Sequence, residues 1–160
     1  MGYHKGVNAV FEQAIIDLKR QGAIIIEQTN FDNKKQWGDA EFEVLLFEFK
    51  HDINKYLVNT AKGIPKSLSE LIQYNNNNST IEMPYFAQEL FEMAESKGDL
   101  NEKIYLDALK KAKNESQEKG IDLLIAKYDL DLIIAPTTGP AWKIDWINGD
   151  NYLGASSSAA

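Results

Sequence analysis

The stretch of residues 130–150, LDLIIAPTTGPAWKIDWINGD, constrains the fold more than any other part of the chain. Its apolar run 132–135 has the composition of a β-strand that is buried on both faces. Pro136 ends this predicted strand, because proline has no N–H to donate to a neighbouring strand. The polar loop that follows carries two tryptophans, Trp142 and Trp146. In α/β proteins a buried strand followed by such a loop commonly forms the rim of a ligand crevice, whereas the structural alternative is a loop whose tryptophans cap the core.

Composition narrows the classes of partner and of site. The 160 residues are enough for one domain with a hydrophobic core. The net charge of −7 argues against nucleic acid or an anionic membrane as the main partner. There is no cysteine, which excludes disulfides and thiolate metal sites and agrees with a reducing compartment, so we expect a cytoplasmic location. No apolar run has the length of a membrane span, and the N-terminus does not resemble a signal peptide.

The first half of the chain predicts helices alternating with short connections. A helix is predicted over 8–22, with Asn8 as its N-cap and Gly22 as its C-terminal stop, followed by a β-branched strand over 23–27. Residues 29–38 are polar and predict a loop, and 39–57 predict a longer helix with an apolar stripe.

Four further helices are predicted after residue 57, and the first of them starts at Ser67. Ser67 precedes Glu70 at the spacing of a capping box, and the asparagine-rich run 75–79 predicts an exposed loop. Pro84 suits the first turn of a helix in which Gln88 would face solvent. The amphipathic pattern of 101–119 predicts a helix that stops at Gly120, and a short helix is expected over 121–128.

His51 and Asp52 form the most obvious pair of potential ligands, but they do not predict a metal site. Neighbouring residues on a helix point about 100° apart, so the pair cannot chelate one ion. His51 could interact with Glu48 or Lys55 at helical spacing, but the expected arrangement is a solvated helix face. We assign neither a metal ligand nor a catalytic base here.

Several motifs together resemble one family. The run APTTGPAW, the helix FEFKHDINKYL, the segment SLSELIQYN and the motif PYFAQE resemble the C-terminal half of the amidase signature family, and within it the peptide-amidase-like branch. Ala87 stands in PYFAQE where the family usually has glycine. The match extends over essentially the whole of residues 1–160.

The resemblance implies an α/β fold, with an amidase-signature-like mixed sheet and covering helices, incomplete in this chain. It implies hydrolysis of a small-molecule or peptide carboxamide by a Ser–Ser–Lys triad, with no cofactor and no metal. Residues 1–160 would be the C-terminal portion of the domain, lacking the Gly/Ser-rich catalytic segment, so no catalytic residue is expected here. Thr137 and Trp142, in the stretch that matches the family's PTxGPAW loop, are the substrate-binding candidates.

Other residues that match, or that invite a catalytic assignment, remain secondary. Asp145, Asn148 and the 149–150 pair match the family as well, but they are equally typical of a turn. The serine triplet 156–158 has no close glycine for a sharp turn and no neighbouring lysine or histidine to activate it. A nucleophile is therefore not assigned to the triplet.

Two alternative functions remain open. One is the amidotransferase subunit that takes part in forming glutaminyl-tRNA, which uses the same fold but works with partner subunits. The other is a non-catalytic binding module that reuses the fold. A part of an α/β domain also exposes sheet edges and apolar helix faces, so we expect the isolated chain to self-associate or to be only partly stable. Because the catalytic segment is not expected in it, the chain alone is also expected to be inactive.

Overall fold

The computed structural model describes residues 4–27, 29 and 34–152, with residues 34–36 described by their backbone alone. Within these residues the chain forms α1 (Lys5–Arg20), α2 (Lys34–Leu57), α3 (Leu68–Asn77), α4 (Ser79–Glu82), α5 (Glu89–Glu95), α6 (Lys103–Lys113), a π-helix (Asn114–Ile121) and α7 (Asp122–Tyr128). None of the helices in this described part is long and apolar enough to cross a membrane.

The chain divides into two compact units. Described residues from 34 to 115 form the first unit, which contains α2 to α6. Described residues before position 33 and after position 115 form the second unit, which contains α1, α7 and the long segment that follows α7.

Helix α2 is the centre of the first unit and contacts α3, α5 and α6. Leu46 of α2, Leu68 of α3 and Ala94 of α5 are buried together. Phe49 of α2 stacks on Phe91 of α5, with the ring centroids 5.5 Å apart. The predicted helix over 39–57 is therefore confirmed, but only part of its apolar stripe packs in this core. Phe42, Leu45 and Tyr56 of the stripe are exposed.

Helix α2 begins earlier than the sequence predicts. It starts at Lys34, inside the segment 29–38 that was expected to be a loop. Trp37 lies in this added part and is buried. Burial of one large aromatic side chain outweighs the weak local preference of the polar and glycine residues around it.

Two lysines hold the C-terminal end of α5 against α2. The Nζ of Lys50 donates hydrogen bonds to the backbone carbonyls of Glu95 and Lys97, at 2.6 Å each. The Nζ of Lys97 in turn contacts the carboxylate of Glu43 at 2.7 Å. The last carbonyls of a helix have no partner within it, and a cation there satisfies them and complements the helix dipole.

At the start of α3, one of the two hydrogen bonds of the predicted capping box is present. The Oγ of Ser67 accepts a hydrogen bond from the backbone N–H of Glu70 at 3.1 Å. The Glu70 carboxylate, however, accepts from the backbone N–H of Lys66 at 2.8 Å rather than from that of Ser67. The glutamate thus satisfies a donor one residue further out than in the usual capping box.

Two predictions downstream of α3 are wrong. The run 75–79 was expected to be an exposed loop, but α3 continues to Asn77 and α4 begins at Ser79. Pro84 was expected in the first turn of a helix, but the next helix, α5, begins only at Glu89. Ala87 therefore lies outside a helix, and its φ is not positive, so it causes no strain where the family usually has glycine.

Helix α1 ends as predicted but begins differently. Gly22 follows the helix with φ +96°, a conformation that glycine adopts without penalty. Asn8 lies inside the helix, and the N-cap is His4, whose Nδ1 accepts a hydrogen bond from the backbone N–H of Gly6 at 3.1 Å. A neutral imidazole nitrogen has the lone pair that this position requires, although the usual capping residues do not include histidine.

Residue Gly120 does not end a helix. The chain leaves α6 at Lys113, continues through the π-helix Asn114–Ile121 and enters α7 directly. Gly120 is buried within the π-helix. The helical stretch ends instead at Asp129, which has the left-handed φ of +52°.

Neither predicted strand is present. The segments 23–27 and 132–135 lie outside any helix or strand, and the described residues contain no β-strand, only an isolated bridge at Thr138. All side chains of both segments except the half-buried Ile25 are exposed, with Ile24 at 88% and Leu132 at 67%. The mixed sheet is therefore not confirmed, and the expectation that 132–135 is buried on both faces is wrong. A strand exists only where a second strand supplies hydrogen-bond partners.

Candidate functional site

The segment after α7 carries both substrate-binding candidates. Thr137 lies at the end of the non-helical run 132–137 and is exposed, and Trp142 is 39% exposed. The two residues are separated in the chain only by 138–141, a stretch with a second threonine, a glycine and a proline. The structure therefore places both candidates on one loop, with their side chains accessible.

A capped turn follows Trp142. The Oδ1 of Asp145 accepts hydrogen bonds from the backbone N–H groups of Ile147 and Asn148, at 2.9 Å each. Its Oδ2 accepts from the side-chain amide of Asn148 at 2.9 Å. The backbone N–H of Gly149 donates to the carbonyl of Asp145 at 3.0 Å, and Gly149 has φ +75°. These are the features of a side-chain-capped turn, so the turn interpretation of Asp145, Asn148 and Gly149 accounts for them fully.

The same hydrogen bonds affect the charge of Asp145. The N–H groups of Asn148, first from its backbone and then from its side chain, together with that of Ile147, lower the pKa of the Asp145 carboxyl. Hydrogen bonds to the ionised form favour that form. Asp145 therefore remains an anion and an acceptor down to a lower pH than a free aspartate.

Trp142 is held by residues on the far side of this turn. Its indole Nε1 donates a hydrogen bond to Oδ1 of Asp150 at 2.9 Å. Its ring meets the ring of Tyr152 edge to face, with centroids 5.8 Å apart and an interplanar angle of 61°. The sequence left open whether Asp150 is a turn residue or a functional residue. In the structure it makes a specific contact with a substrate-binding candidate.

The loop has the chemical groups of a binding surface for an uncharged polar ligand with an apolar part. A threonine hydroxyl both donates and accepts hydrogen bonds, as a carboxamide requires. An indole and a phenol ring at an angle to each other offer apolar area for a flat or aliphatic group. Within the described residues no cluster of three or more histidine or acidic side chains is arranged to hold a metal ion.

His51 and Asp52 of α2, the pair of potential metal ligands, contact each other. The Nδ1 of His51 lies 2.8 Å from Oδ1 of Asp52, and both side chains are exposed. This exposure agrees with the predicted solvated face. Glu48, one of the possible partners of His51, accepts a hydrogen bond from the hydroxyl of Tyr105 at 2.8 Å. The serine triplet 156–158 lies outside the described residues.

Sequence reasoning missed the role of Gln88, which was expected to face solvent. The side chain is buried, and its Oε1 accepts a hydrogen bond from the Asn75 amide at 3.0 Å. Its Nε2 donates to Oδ1 of Asn76 at 2.8 Å and to the carbonyl of Ile72 at 3.2 Å. The asparagine run 75–78, whose side-chain amides can pair with another amide, was the signal that could have predicted this network.

Comparison with known proteins concerns the chain as a whole. No family model matches the chain. A probable amidase of Arabidopsis thaliana is 33% identical over 132 residues. The crystal structure of the peptide amidase PAM, in complex with the competitive inhibitor chymostatin, is similar to this chain with a TM-score of 0.84 and 35% identity, over 96% of this chain. The resemblance to the amidase signature family is confirmed.

The chain corresponds to a limited share of these amidases. It covers 25% of the Arabidopsis amidase, which aligns with 79% of this chain, and 31% of the peptide amidase PAM. The native peptide amidase from Stenotrophomonas maltophilia gives a TM-score of 0.75 at 35% identity, over 87% of this chain and 28% of its own. The chain thus spans between a quarter and a third of the length of the amidases that it matches.

Proposed function

We propose that this chain contributes a wall of the substrate cleft in an amidase that hydrolyses the C–N bond of carboxamides, including C-terminal peptide amides. The observation that carries the proposal is the similarity to a peptide amidase over 96% of the chain, with a TM-score of 0.84. Thr137 and Trp142 are the proposed substrate-binding residues, because they are accessible on one loop and have the required hydroxyl and apolar groups.

The nucleophile in this proposal lies outside the 160 residues. A serine attacks the amide carbonyl, a second serine relays the proton, and a lysine held neutral by burial is the final base. The nitrogen leaves as ammonia, and water then releases the carboxylic acid from the acyl-enzyme. A Gly/Ser-rich segment upstream in a longer amidase would supply this triad and the backbone N–H groups that stabilise the oxyanion. The small share of the matched amidases that this chain covers, 25–31%, supports that arrangement.

The same arrangement accounts for the exposed apolar segments 23–27 and 132–135. In the proposal they are strands of a mixed sheet whose other strands belong to the rest of the amidase fold. Apolar side chains such as Ile24 and Leu132 would then be covered by that fold, while covering helices lie on the sheet. Residues 1–160 are accordingly proposed to be the C-terminal portion of an amidase signature domain.

The proposed partner is a small-molecule or peptide amide. The net charge of −7 disfavours binding to nucleic acid and to anionic membranes, and no cofactor is needed for serine-based hydrolysis. The cytoplasmic location is proposed from the absence of cysteine.

Ammonia release from a panel of carboxamides and peptide amides tests the catalytic part of the proposal. We expect the purified 160-residue chain to release none. Turnover that survives repurification and is lost in Ser157→Ala would contradict the proposal and would make the serine triplet an active site. The proposed amidase activity requires turnover by a longer polypeptide that includes the Gly/Ser-rich segment.

Titration of the 15N-labelled chain with N-acetylphenylalaninamide tests the binding part. Resonances of Thr137 and Trp142 are expected to shift with ligand. Thr137→Val preserves the shape of the side chain and removes the hydroxyl, so affinity is expected to fall roughly three- to tenfold, the net value of one hydrogen bond. Thr80→Val on α4 is the matched control and should bind as the wild type. Equal affinity in both variants would exclude Thr137 from the binding site.

A further inference from the structure

The loop 142–152 holds its tryptophan in a fixed place although the loop is on the surface. The hydrogen bond from Trp142 to Asp150 joins residues 8 positions apart in the chain. Between them the turn is closed by the hydrogen bonds that Asp145 accepts and by the positive φ of Gly149. Because the turn fixes the distance between the two ends, the indole N–H meets its acceptor without a large loss of loop entropy.

Asp150 is suited to orient an indole in particular. The indole nitrogen is a donor only, and a carboxylate is an acceptor only, so the pair has one arrangement. A hydrogen bond to an ionised acceptor is stronger than one between neutral groups. The bond engages the ring at its edge, and 39% of the Trp142 residue surface remains open to solvent. The hydrogen bond to Asp150 thus orients the ring without covering its faces.

Tyr152 completes the arrangement. Its ring is inclined by 61° to that of Trp142, and Tyr152 is itself 51% exposed. Two half-exposed rings at such an angle form an aromatic corner, defined here as the side chains of Trp142 and Tyr152. A second flat or aliphatic group can be added to the corner by stacking or edge contact.

We propose that Asp150 is a positioning residue that sets Trp142 in the aromatic corner, and that the corner selects amides with an aromatic or large aliphatic side chain beside the carboxamide. The selection rests on the proposed function, because it requires that Trp142 contact the substrate. Binding to a preformed corner loses less conformational entropy than binding to a freely rotating indole. Only ligands with an apolar side chain gain affinity from the corner, because only they contact its rings.

Indole N–H resonances in a 1H–15N spectrum test the positioning directly. The chain has 3 tryptophans, and single Trp142→Phe and Trp146→Phe variants assign their signals. Asp150→Leu removes the acceptor and is expected to move the Trp142 indole signal upfield and to speed its exchange with water. Asp150→Asn keeps an oxygen acceptor and should retain most of the downfield shift. Asp131→Leu, which removes an exposed carboxylate ahead of the loop, should leave the signal unchanged.

Affinities for N-acetylphenylalaninamide and N-acetylglycinamide test the selection. Wild type, Asp150→Asn and Asp131→Leu are expected to prefer the phenylalanine amide. Asp150→Leu is expected to bind it roughly three- to tenfold more weakly, the size of one aromatic contact, with little change for the glycine amide. Thermal melting of each variant confirms that it is folded.

Each contrary result has a distinct meaning. An unchanged Trp142 signal in Asp150→Leu overturns the positioning role. A displaced signal with an unchanged preference overturns the selection while leaving the proposed function standing. Failure of the wild-type chain to bind either amide overturns both the proposed function of this loop and the selection.

Discussion

Among single residues, Gln88 shows most clearly how a polar side chain organises the helical unit. It is 8% exposed, and its amide oxygen and nitrogen are each engaged, with Asn75, with Asn76 and with the carbonyl of Ile72. A buried amide stabilises a fold only when its donors and acceptors are satisfied, because an unpaired group retains the cost of leaving water. The network therefore ties the chain just before α5 to α3.

Replacement of Gln88 by leucine should destabilise the chain. The variant keeps a similar volume but removes the hydrogen bonds that the side-chain amides of Asn75 and Asn76 make with Gln88. We expect a loss of about 1–3 kcal/mol in the free energy of unfolding, measured by urea denaturation. Gln73→Leu, at an exposed position of α3, is the control and should change stability by less than about 0.5 kcal/mol. Equal losses in both variants would show that the Gln88 network contributes nothing.

Tyr105 gives a prediction that depends on pH. Its hydroxyl donates to Glu48 at 2.8 Å while its ring packs 5.6 Å from that of Phe47. The hydrogen bond to the Glu48 carboxylate, then burial and the negative charges of Glu48 and Asp52, raise the pKa of Tyr105 above 10.0. A raised pKa means that the contribution to stability is complete below the unfolded value and is lost as pH rises through the folded value.

Tyr105→Phe keeps the ring and removes the donor. Near neutral pH we expect the variant to be less stable by about 1–2 kcal/mol, because a partly buried carboxylate loses a hydrogen bond. The difference should shrink as the pH of the denaturation series rises past the ordinary tyrosine value of 10.0. Tyr56→Phe, at an exposed position of α2, should show no such pH-dependent difference. A constant difference up to alkaline pH would contradict the assigned role of the hydroxyl.

Among the elements, those that local chemistry determines were the ones predicted from sequence. The helical conformation of α2, the cap at Ser67 and the stop at Gly22 depend on residues within a few positions of one another. The burial of Gln88, in contrast, depends on Ile72, Asn75 and Asn76, which lie 12 to 16 positions away in the chain. Gly120 was wrongly predicted to end a helix, because the π-helix continues through it.

For the candidate site, the structure shows where the predicted residues lie, and their binding role stays a prediction. The loop and its residues Thr137 and Trp142 came from a resemblance, and accessibility is what the structure adds. The contact of Trp142 with Asp150 could not be read from the sequence, because it depends on how the turn at Asp145 brings the two residues together. Turn chemistry predicted the turn but not what the turn positions.

The cap of α3 offers a prediction for an element. Ser67→Ala removes the acceptor for the N–H of Glu70 and should cost about 1 kcal/mol of stability. Ser69→Ala, inside the same helix and exposed, should cost nothing or stabilise slightly, because alanine is the better helix former. Comparison of the two variants by thermal melting isolates the cap from the change in composition. A more stable Ser67→Ala would exclude a capping contribution.

For the whole molecule, the exposed apolar segments 23–27 and 132–135 predict how the chain behaves in solution. Ile24, Leu132 and Ile133 are 88%, 67% and 40% exposed, and the backbone beside them has no ladder of strand hydrogen bonds. Apolar, unpaired extended segments associate with one another unless charge or a covering element prevents it. The isolated chain is therefore expected to form species above its monomer mass of 18.1 kDa as concentration rises, measured by size-exclusion chromatography with light scattering.

Lysine substitutions distinguish association through these two segments from association through other apolar surface of the chain. The double variant Ile24→Lys with Leu132→Lys places charge on both segments and should shift the distribution towards the monomer. Val10→Lys, on α1 and 74% exposed, adds a charge elsewhere on the same unit and should leave association unchanged. A single species of 18.1 kDa at every concentration, with one cooperative melt, would contradict self-association. If Val10→Lys reduced association as much as the double variant does, the associating surface would lie outside the two segments. The proposal that the rest of an amidase fold covers these segments would then lose this support.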